Sequence, residues 1–148
     1  MISYHIVPMT LVHTEHVATL EKECFPDPWS LNSIQKELQN PLSTWLVAER
    51  EGVVLGYIGA QTAAHESDIM NLAVHPKYRH CGIGSALLSA LQSALREHDS
   101  VAITLEVRAS NADAIRVYER AGFLSVGRRP NYYFHPREDA IIMRKELI

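Results

Sequence analysis

The sequence contains little cysteine, no long apolar run and little net charge. Its two cysteines, Cys24 and Cys81, lie far apart, so they predict neither a metal-ligand pair nor a disulfide framework, and they fit a reducing compartment best. No stretch approaches the roughly 20 apolar residues of a membrane span. The first ten residues lack the basic start and apolar run of a signal peptide. A net charge of −3 gives no electrostatic footprint for nucleic acid or an anionic membrane. These absences predict a cytoplasmic protein without direct nucleic-acid or membrane contact.

The chain is long and apolar enough to form its own core. Its 148 residues, of which 47% are hydrophobic, predict one domain over residues 1–148. It has eight histidines, but His13 and His16 have no carboxylate at a ligand spacing, so we expect no metal site.

Apolar periodicity, interrupted by proline and glycine, predicts the element order β-α-α-β-β-β-α-β-α-β-β. The predicted strands are residues 2–7, 45–49, 53–63, 68–74, 101–107, 123–127 and 140–145, and the predicted helices are residues 13–24, 30–39, 82–98 and 111–120. The strand at 101–107 is almost continuously apolar, which predicts a central strand that is buried on both faces. The order predicts an α/β domain with a mixed sheet.

The segment from Val74 to Ser85 joins a predicted strand to a predicted helix and carries glycine at positions 82 and 84. A helix N-terminus presents unpaired N–H groups and a positive dipole end, and glycine lets a ligand approach the backbone. Arg79, His80 and Ser85 add side-chain donors. The segment therefore predicts a phosphate site. A tight strand-to-helix turn without a ligand is the alternative, since Leu87 replaces the third glycine of a dinucleotide fingerprint.

Two motifs around this segment resemble the GNAT acetyltransferase superfamily. Residues 79–84 (Arg-His-Cys-Gly-Ile-Gly) resemble its Arg/Gln-x-x-Gly-x-Gly/Ala signature, and residues 71–74 resemble the strand that precedes it. Asn111 and residues 118–123 resemble the next motif. The resemblance implies a mixed, mostly antiparallel central sheet flanked by helices, with acetyl-CoA as co-substrate. It assigns the coenzyme to Leu72, Ala73, Val74, Arg79, His80, Cys81, Gly82, Ile83, Gly84, Ser85 and Asn111.

A narrower resemblance, to the bacterial ribosomal-protein alanine N-acetyltransferases (the RimI family), spans nearly the whole chain. It is carried by Trp29-Ser30 and by residues 105–111, 114–115, 118, 131–133 and 138–143. It implies that the substrate is the N-terminal α-amino group of a small-subunit ribosomal protein that begins with alanine. We expect a monomer or weak dimer. Three alternatives remain open: acetylation of protein lysines, acetylation of a small-molecule amine, or a catalytically inert CoA-binding regulatory module.

The resemblance also implies the catalytic pair. Glu106 is the only charged residue in the run 101–107, and we expect it to act as the general base through a water molecule. The alternative is an ion pair with Arg108. Tyr118 lies two helical turns after Asn111 and would act as the general acid, because a phenol with a pKa near 10 can protonate a thiolate. The alternative is a core tyrosine.

Trp29, Arg108 and Tyr132 are the residues that the resemblance implies for the substrate peptide. The alternatives are that Trp29 anchors the second helix and that the aromatic residues at 131–134 close the core. Neither cysteine has a recognisable base partner, so the expected mechanism is direct attack without an acetyl-cysteine.

Overall fold

The computed structural model of the chain describes residues 3–148, and its helices and strands follow the predicted order. The strands are β1 (His5–Pro8), β2 (Ser43–Arg50), β3 (Val53–Ala63), β4 (Glu66–Val74), β5 (Ala102–Arg108), β6 (Leu124–Phe134) and β7 (Arg137–Glu146). The helices are α1 (Thr14–Cys24), α2 (Leu31–Glu37), α3 (Ile83–Glu97) and α4 (Ala112–Arg120), with short 3-10 turns at Leu11–His13 and Pro76–Tyr78.

The seven strands form one sheet in the order β1-β2-β3-β4-β5-β7-β6. Neighbouring strands are antiparallel except β4 and β5, which are joined through α3 and run parallel. A parallel pair requires such a crossover, whereas hairpins suffice for the others. The predicted mixed, mostly antiparallel sheet is confirmed.

Each face of the sheet has its own core. On one face α3 contributes a stripe of four leucines, each 0% exposed, and each contributes roughly 1.5–3 kcal/mol by burial. The stripe consists of Leu87, Leu88, Leu91 and Leu95. On the other face Val17 of α1 and Ile34 of α2 pack on Trp45 and Tyr57. Side chains alternate between the two cores along β2 and β3, as the strand period requires.

Local signals at the ends of the elements act as predicted. The Ser30 hydroxyl accepts a hydrogen bond from the Ser33 amide at 3.1 Å and caps α2. Gly122, with a φ of +98°, follows α4 and ends it. In the turn between β2 and β3, Gly52 has a φ of +81°, which glycine adopts readily.

Three strand predictions require correction. Strand β5 is not buried on both faces, because Thr104, Glu106 and Arg108 are only half-buried where the sheet opens. Strand β6 is longer than predicted and includes Pro130. This edge strand tolerates the proline because Pro130 falls between Arg129 and Tyr133, where the pairing with β7 is interrupted. The first strand begins at His5, and the predicted start at Ile2 lies outside the described residues. Within residues 3–148, no helix has the length and apolarity to cross a membrane.

Candidate active site

Strands β4 and β5 separate in the middle of the sheet. They pair only through residues 66–68 of β4 and 102–104 of β5, although β4 continues to Val74 and β5 to Arg108. A bulge leaves Met70 of β4 without a partner on β3 and bends the strand near this point. The backbone groups of β4 that face β5 beyond residue 68 therefore have no sheet partner and are available to a ligand.

The N-terminus of α3 follows β4 and opens with glycine. Gly82 occupies the cap position with a φ of +82°, and no side chain caps the first amides. A Cβ at Gly82 would meet nothing within 4 Å. The N–H groups of the first turn are therefore uncapped and unobstructed, and together with the helix dipole they can bind an anion.

A cleft of about 590 Å³ connects the N-terminus of α3 to the separated end of β4. All the residues predicted for the coenzyme line it except Cys81, whose exposed thiol donates to the Arg79 carbonyl at 3.5 Å. One whole wall of the cleft lies on α4 and was not expected from the sequence. The lining residues that were not predicted are Cys24, Phe25, Tyr78, Asp113, Ala114, Arg116, Val117 and Arg120. The spacing of those on α4 marks one helical face and could have indicated the wall.

Two of the lining side chains have part of their hydrogen-bonding capacity occupied. Asn111 caps α4 by accepting from the Ala114 amide at 3.2 Å, so its side-chain N–H groups are the donors it can offer. Arg79 donates from Nε to the Val74 carbonyl at 3.1 Å and from Nη2 to the Cys24 thiol at 3.5 Å. Arg79 thus joins the end of β4 to the end of α1 in the wall of the cleft.

The Cys24 thiol lines the cleft but is a poor nucleophile. Burial raises its pKa, and the neighbouring Arg79 guanidinium only partly offsets this effect. A thiol is the unreactive form of cysteine, so Cys24 stays protonated at neutral pH.

Glu106 lies on β5 beyond the last residue paired with β4. Its side chain is 29% exposed, and its carboxylate is 3.6 Å from Nε of Arg129 on β6. The predicted alternative, an ion pair with Arg108, is wrong, because Arg108 is engaged elsewhere. Leu105 and Val107 belong to the core under α3, so Glu106 points to the opposite face of the sheet, on the side of α1.

Arg108 holds the turn between β6 and β7. Its guanidinium donates to the carbonyls of His135 at 3.3 Å and Pro136 at 2.9 Å, and it pairs with Glu138 at 3.2 Å. It also lies 4.3 Å from the centre of the Tyr133 ring. Most of its donors are therefore used within the protein.

Tyr118 is buried in the core under α3 and is not among the residues that line the cleft. Its ring meets Phe123 edge to face, with centroids 5.6 Å apart. Burial raises the pKa of its phenol, with a further contribution from Tyr133, so the hydroxyl keeps its proton at neutral pH. No buried side-chain oxygen or nitrogen in residues 3–148 lacks a hydrogen-bond partner. The Tyr118 hydroxyl is therefore not a fully buried group without a partner.

Tyr133 rather than Tyr132 is the inward tyrosine of β6. The pKa of Tyr133 is raised to about 12, first by burial and then by its neighbours, which include Glu106. Tyr132 is 45% exposed. The pairing of β6 with β7 shifts between Arg129 and Tyr133, and Asn131 within the shift has a φ of +54°. The shift changes which residues face inward, and simple alternation along the sequence does not reveal it.

The loop after α1 is anchored by Glu21, a residue that was not among the predicted site residues. The Glu21 side chain is buried and accepts from the Trp29 amide at 2.8 Å, from Asn71 Nδ2 at 2.8 Å and from the Tyr57 hydroxyl. Burial raises its pKa despite these three donors. Trp29 also packs on Trp45, with ring centroids 5.6 Å apart. Glu21 lies four residues after Val17, within the apolar stripe of α1. A carboxylate at such a position could have indicated a buried hydrogen-bond network.

The model of the acetyltransferase (GNAT) family matches residues 14–123. The chain therefore belongs to the GNAT acetyltransferase family. The GNAT fold, the predicted enzyme class and the predicted use of acetyl-CoA are thereby confirmed.

Individual GNAT relatives agree with the narrower resemblance. The chain is 35% identical over 126 residues to ribosomal protein bS18-alanine N-acetyltransferase of Escherichia coli strain K12, with 84% of each chain covered. It is 33% identical over 133 residues to the Haemophilus influenzae protein of the same name, covering 87% of this chain and 89% of the relative. The crystal structure of the ribosomal-protein-S18-alanine N-acetyltransferase from E. coli matches with a TM-score of 0.89 at 31% identity, covering 98% of this chain and 94% of that one.

In the described part of this GNAT chain, no group of three or more His, Cys, Asp or Glu side chains is placed to hold a metal ion.

Proposed function

We propose that this chain transfers the acetyl group of acetyl-CoA to the N-terminal α-amino group of a protein, and that the substrate is a small-subunit ribosomal protein that begins with alanine. One observation carries the proposal: a continuous cleft leads from the uncapped amides of α3 along residues 72–74, which lie beyond the last residue of β4 that pairs with β5. Glu106 lies on the part of β5 that is likewise beyond this pairing. The names of the relatives from E. coli and H. influenzae support the substrate. A ribosomal substrate implies action in the cytoplasm, and we propose a monomer or weak dimer.

The cleft fits a long, anionic coenzyme. The amides of residues 83–85 suit a pyrophosphate. Residues 72–74 offer to the amides of a pantetheine arm those backbone groups that have no partner on β3 or β5, apart from the Val74 carbonyl, which accepts from Arg79. Acetyl-CoA supplies the acetyl group as an activated thioester. Backbone N–H groups near the end of β4 would polarise the carbonyl of that thioester.

Glu106 is proposed as the general base. Its carboxylate faces the α1 side of the sheet, which is the side of the loop that carries Trp29. It would take the proton of the substrate ammonium through a water molecule. Arg129 at 3.6 Å keeps the carboxylate in place without bidentate pairing.

Tyr118 is proposed as the general acid. It belongs to the core on the α3 side, so the acid and the base lie on opposite faces of the sheet. This arrangement suits direct transfer, because the amine can enter from one face while the thiolate leaves toward the other. The raised pKa of Tyr118 keeps its proton available at neutral pH.

The choice of an α-amine follows from proton affinity. An α-amino group has a pKa of about 7.7–8.0 against about 10.4 for lysine, so deprotonating it at neutral pH costs roughly 3 kcal/mol less. A half-exposed carboxylate such as Glu106 can therefore serve as the base. We propose that Trp29 and Tyr132 contact the substrate peptide and that Arg108 shapes its site by holding the turn between β6 and β7.

The test is mass spectrometry of two peptides incubated with acetyl-CoA. One peptide begins with alanine and carries no lysine, and the other has a blocked N-terminus and one lysine. We expect acetylation of the first alone. Glu106→Gln should lower turnover by about 10²- to 10⁴-fold while CoA affinity is retained.

Each alternative gives a different result. Acetylation of the lysine peptide alone would show that the enzyme acetylates lysine side chains and not N-terminal α-amino groups. CoA binding without transfer to either peptide or to small amines would indicate a regulatory module. Turnover of the Glu106→Gln variant at the wild-type rate would show that Glu106 is not the general base.

A further inference from the structure

A buried carboxylate holds the side chain of Asn71 beside the gap between β4 and β5. Glu21 is 1% exposed, and its Oε2 accepts from Asn71 Nδ2 at 2.8 Å and from the Tyr57 hydroxyl. Its Oε1 accepts from the Trp29 amide at 2.8 Å. An ionised carboxylate only accepts hydrogen bonds, so Glu21 determines that the N–H end of the Asn71 amide faces it.

The other end of that amide, Oδ1, has no protein partner. Among residues 3–148 no donor is found within hydrogen-bond distance of Asn71 Oδ1, yet no buried side-chain oxygen in this range lacks a partner. Asn71 is half-buried, so its Oδ1 must be accessible to solvent. Glu21 thus turns Asn71 so that an acceptor with two lone pairs faces outward.

Asn71 and Glu106 lie on the two edges of the gap and face the same side of the sheet. Counted from the last pair of the β4–β5 ladder, Asn71 is three residues along β4 and Glu106 is two residues along β5. Ile69 belongs to the core under α3, and a step of two residues would normally return to that face. The bulge at Met70 reverses the alternation, so Asn71 meets Glu21 on the α1 side, where Glu106 also points.

We propose that Asn71 Oδ1 accepts a hydrogen bond from the α-amino group of the substrate, and that Glu21 is the positioning residue that keeps this oxygen turned toward the amine. The inference rests on the proposed function and gives the amine a second contact beside Glu106. An ammonium carries only donors, so an acceptor on each edge of the gap suits it. Because an amide oxygen does not take up a proton at neutral pH, Asn71 orients the amine and Glu106 deprotonates it.

The test is a double-mutant cycle, read out by steady-state acetylation of a lysine-free peptide that begins with alanine. Asn71→Ala should lower kcat/KM for the peptide by about tenfold to a hundredfold, as expected for one hydrogen bond to a charged group. The KM for acetyl-CoA should not change. Glu21→Gln offers Asn71 a donor as well as an acceptor, so the amide can turn and present its N–H groups to the ammonium. We expect a similar loss from this variant.

The double variant separates positioning from a structural role. In the Asn71→Ala background Glu21→Gln should cost little more, because no amide remains to be oriented. Asn40→Ala is the matched control, since Asn40 Nδ2 donates to the buried carboxylate of Glu37 at 3.3 Å and Asn40 does not line the cleft. It should keep the wild-type kinetics. Thermal unfolding shows which variants are folded, and Asn71→Ala alone decides the contact with the amine if Glu21→Gln does not fold.

Four results would overturn the inference. A folded Asn71→Ala variant with the wild-type kcat/KM would show that Oδ1 does not contact the amine. Losses that multiply in the double variant would leave Glu21 with a structural role only. A raised KM for acetyl-CoA with unchanged kinetics for the peptide would assign Asn71 to the coenzyme. Failure of the wild type to acetylate the peptide would refute the proposed function and this inference together.

Discussion

Gly84 allows the coenzyme site to be perturbed without disturbing the fold. It lies in the first turn of α3 and lines the cleft. A Cβ added there would lie 3.8 Å from Val74 Cγ2 and 4.0 Å from Val117 Cγ1, which are ordinary contact distances. Its φ is not among the positive values of the chain, so alanine fits the backbone.

The expected magnitudes separate stability from binding. Gly84→Ala should stabilise the protein by up to about 1 kcal/mol, because alanine has the higher helix propensity, and should raise Tm by roughly 2–4 °C. Gly84→Glu places a carboxylate against the proposed pyrophosphate position. Two like charges about 4 Å apart at an effective dielectric near 20 repel by about 4 kcal/mol, equivalent to about a thousandfold loss of CoA affinity.

Thermal unfolding measures the effect of each variant on stability, and calorimetric titration measures its effect on CoA affinity. Gly84→Gln has the bulk of Gly84→Glu without its charge, so it should lose less affinity than the glutamate variant and show how much of the effect is steric. A folded Gly84→Glu variant that binds CoA as tightly as wild type would refute the placement of the pyrophosphate at α3.

Two further predictions concern the core phenol and the buried carboxylates. Tyr118→Phe should lower turnover by about 10²- to 10⁴-fold with CoA affinity and Tm nearly unchanged, because phenylalanine keeps the ring that packs on Phe123. Tyr133→Phe is the matched control, and an equal effect of both would deny Tyr118 a distinct role. Glu37 is buried, which raises the pKa of its carboxyl, but donors from Asn40, Ser43, Trp45 and Gln61 outweigh the burial and leave that pKa below its ordinary 4.5. Its contribution to stability is therefore present above pH 4.5 and is lost as the pH falls through the lowered pKa. Denaturant unfolding at neutral pH and near pH 3 should show a smaller acid-induced loss for Glu37→Gln than for wild type, and parallel losses would contradict this account.

Most of the fold could be predicted from local features of the sequence. The four buried leucines of α3, the cap at Ser30 and the glycine after α4 each act within a few residues, and they fixed the order of the elements. The coenzyme loop was predictable for the same reason, since a strand, two glycines and a helix are contiguous in the sequence. Residues 72–74 and 79–85 line the cleft apart from Cys81.

The rest depends on register and on distant contacts. Tyr133 faces inward because the pairing of β6 with β7 shifts, and no local pattern encodes that shift. Arg129 meets Glu106 from a strand two positions away in the sheet. Glu21 is held by donors from three other segments, which the sequence of α1 cannot show.

The short ladder between β4 and β5 has a mechanical consequence. Three residue pairs, with α3 as the crossover, join the half of the sheet made of β1–β4 to the half made of β5–β7. A ligand bound along the unpaired edges of β4 and β5 would add backbone hydrogen bonds between the two halves. We therefore expect the stability of the protein to rise with the concentration of a ligand that bonds to both strand edges.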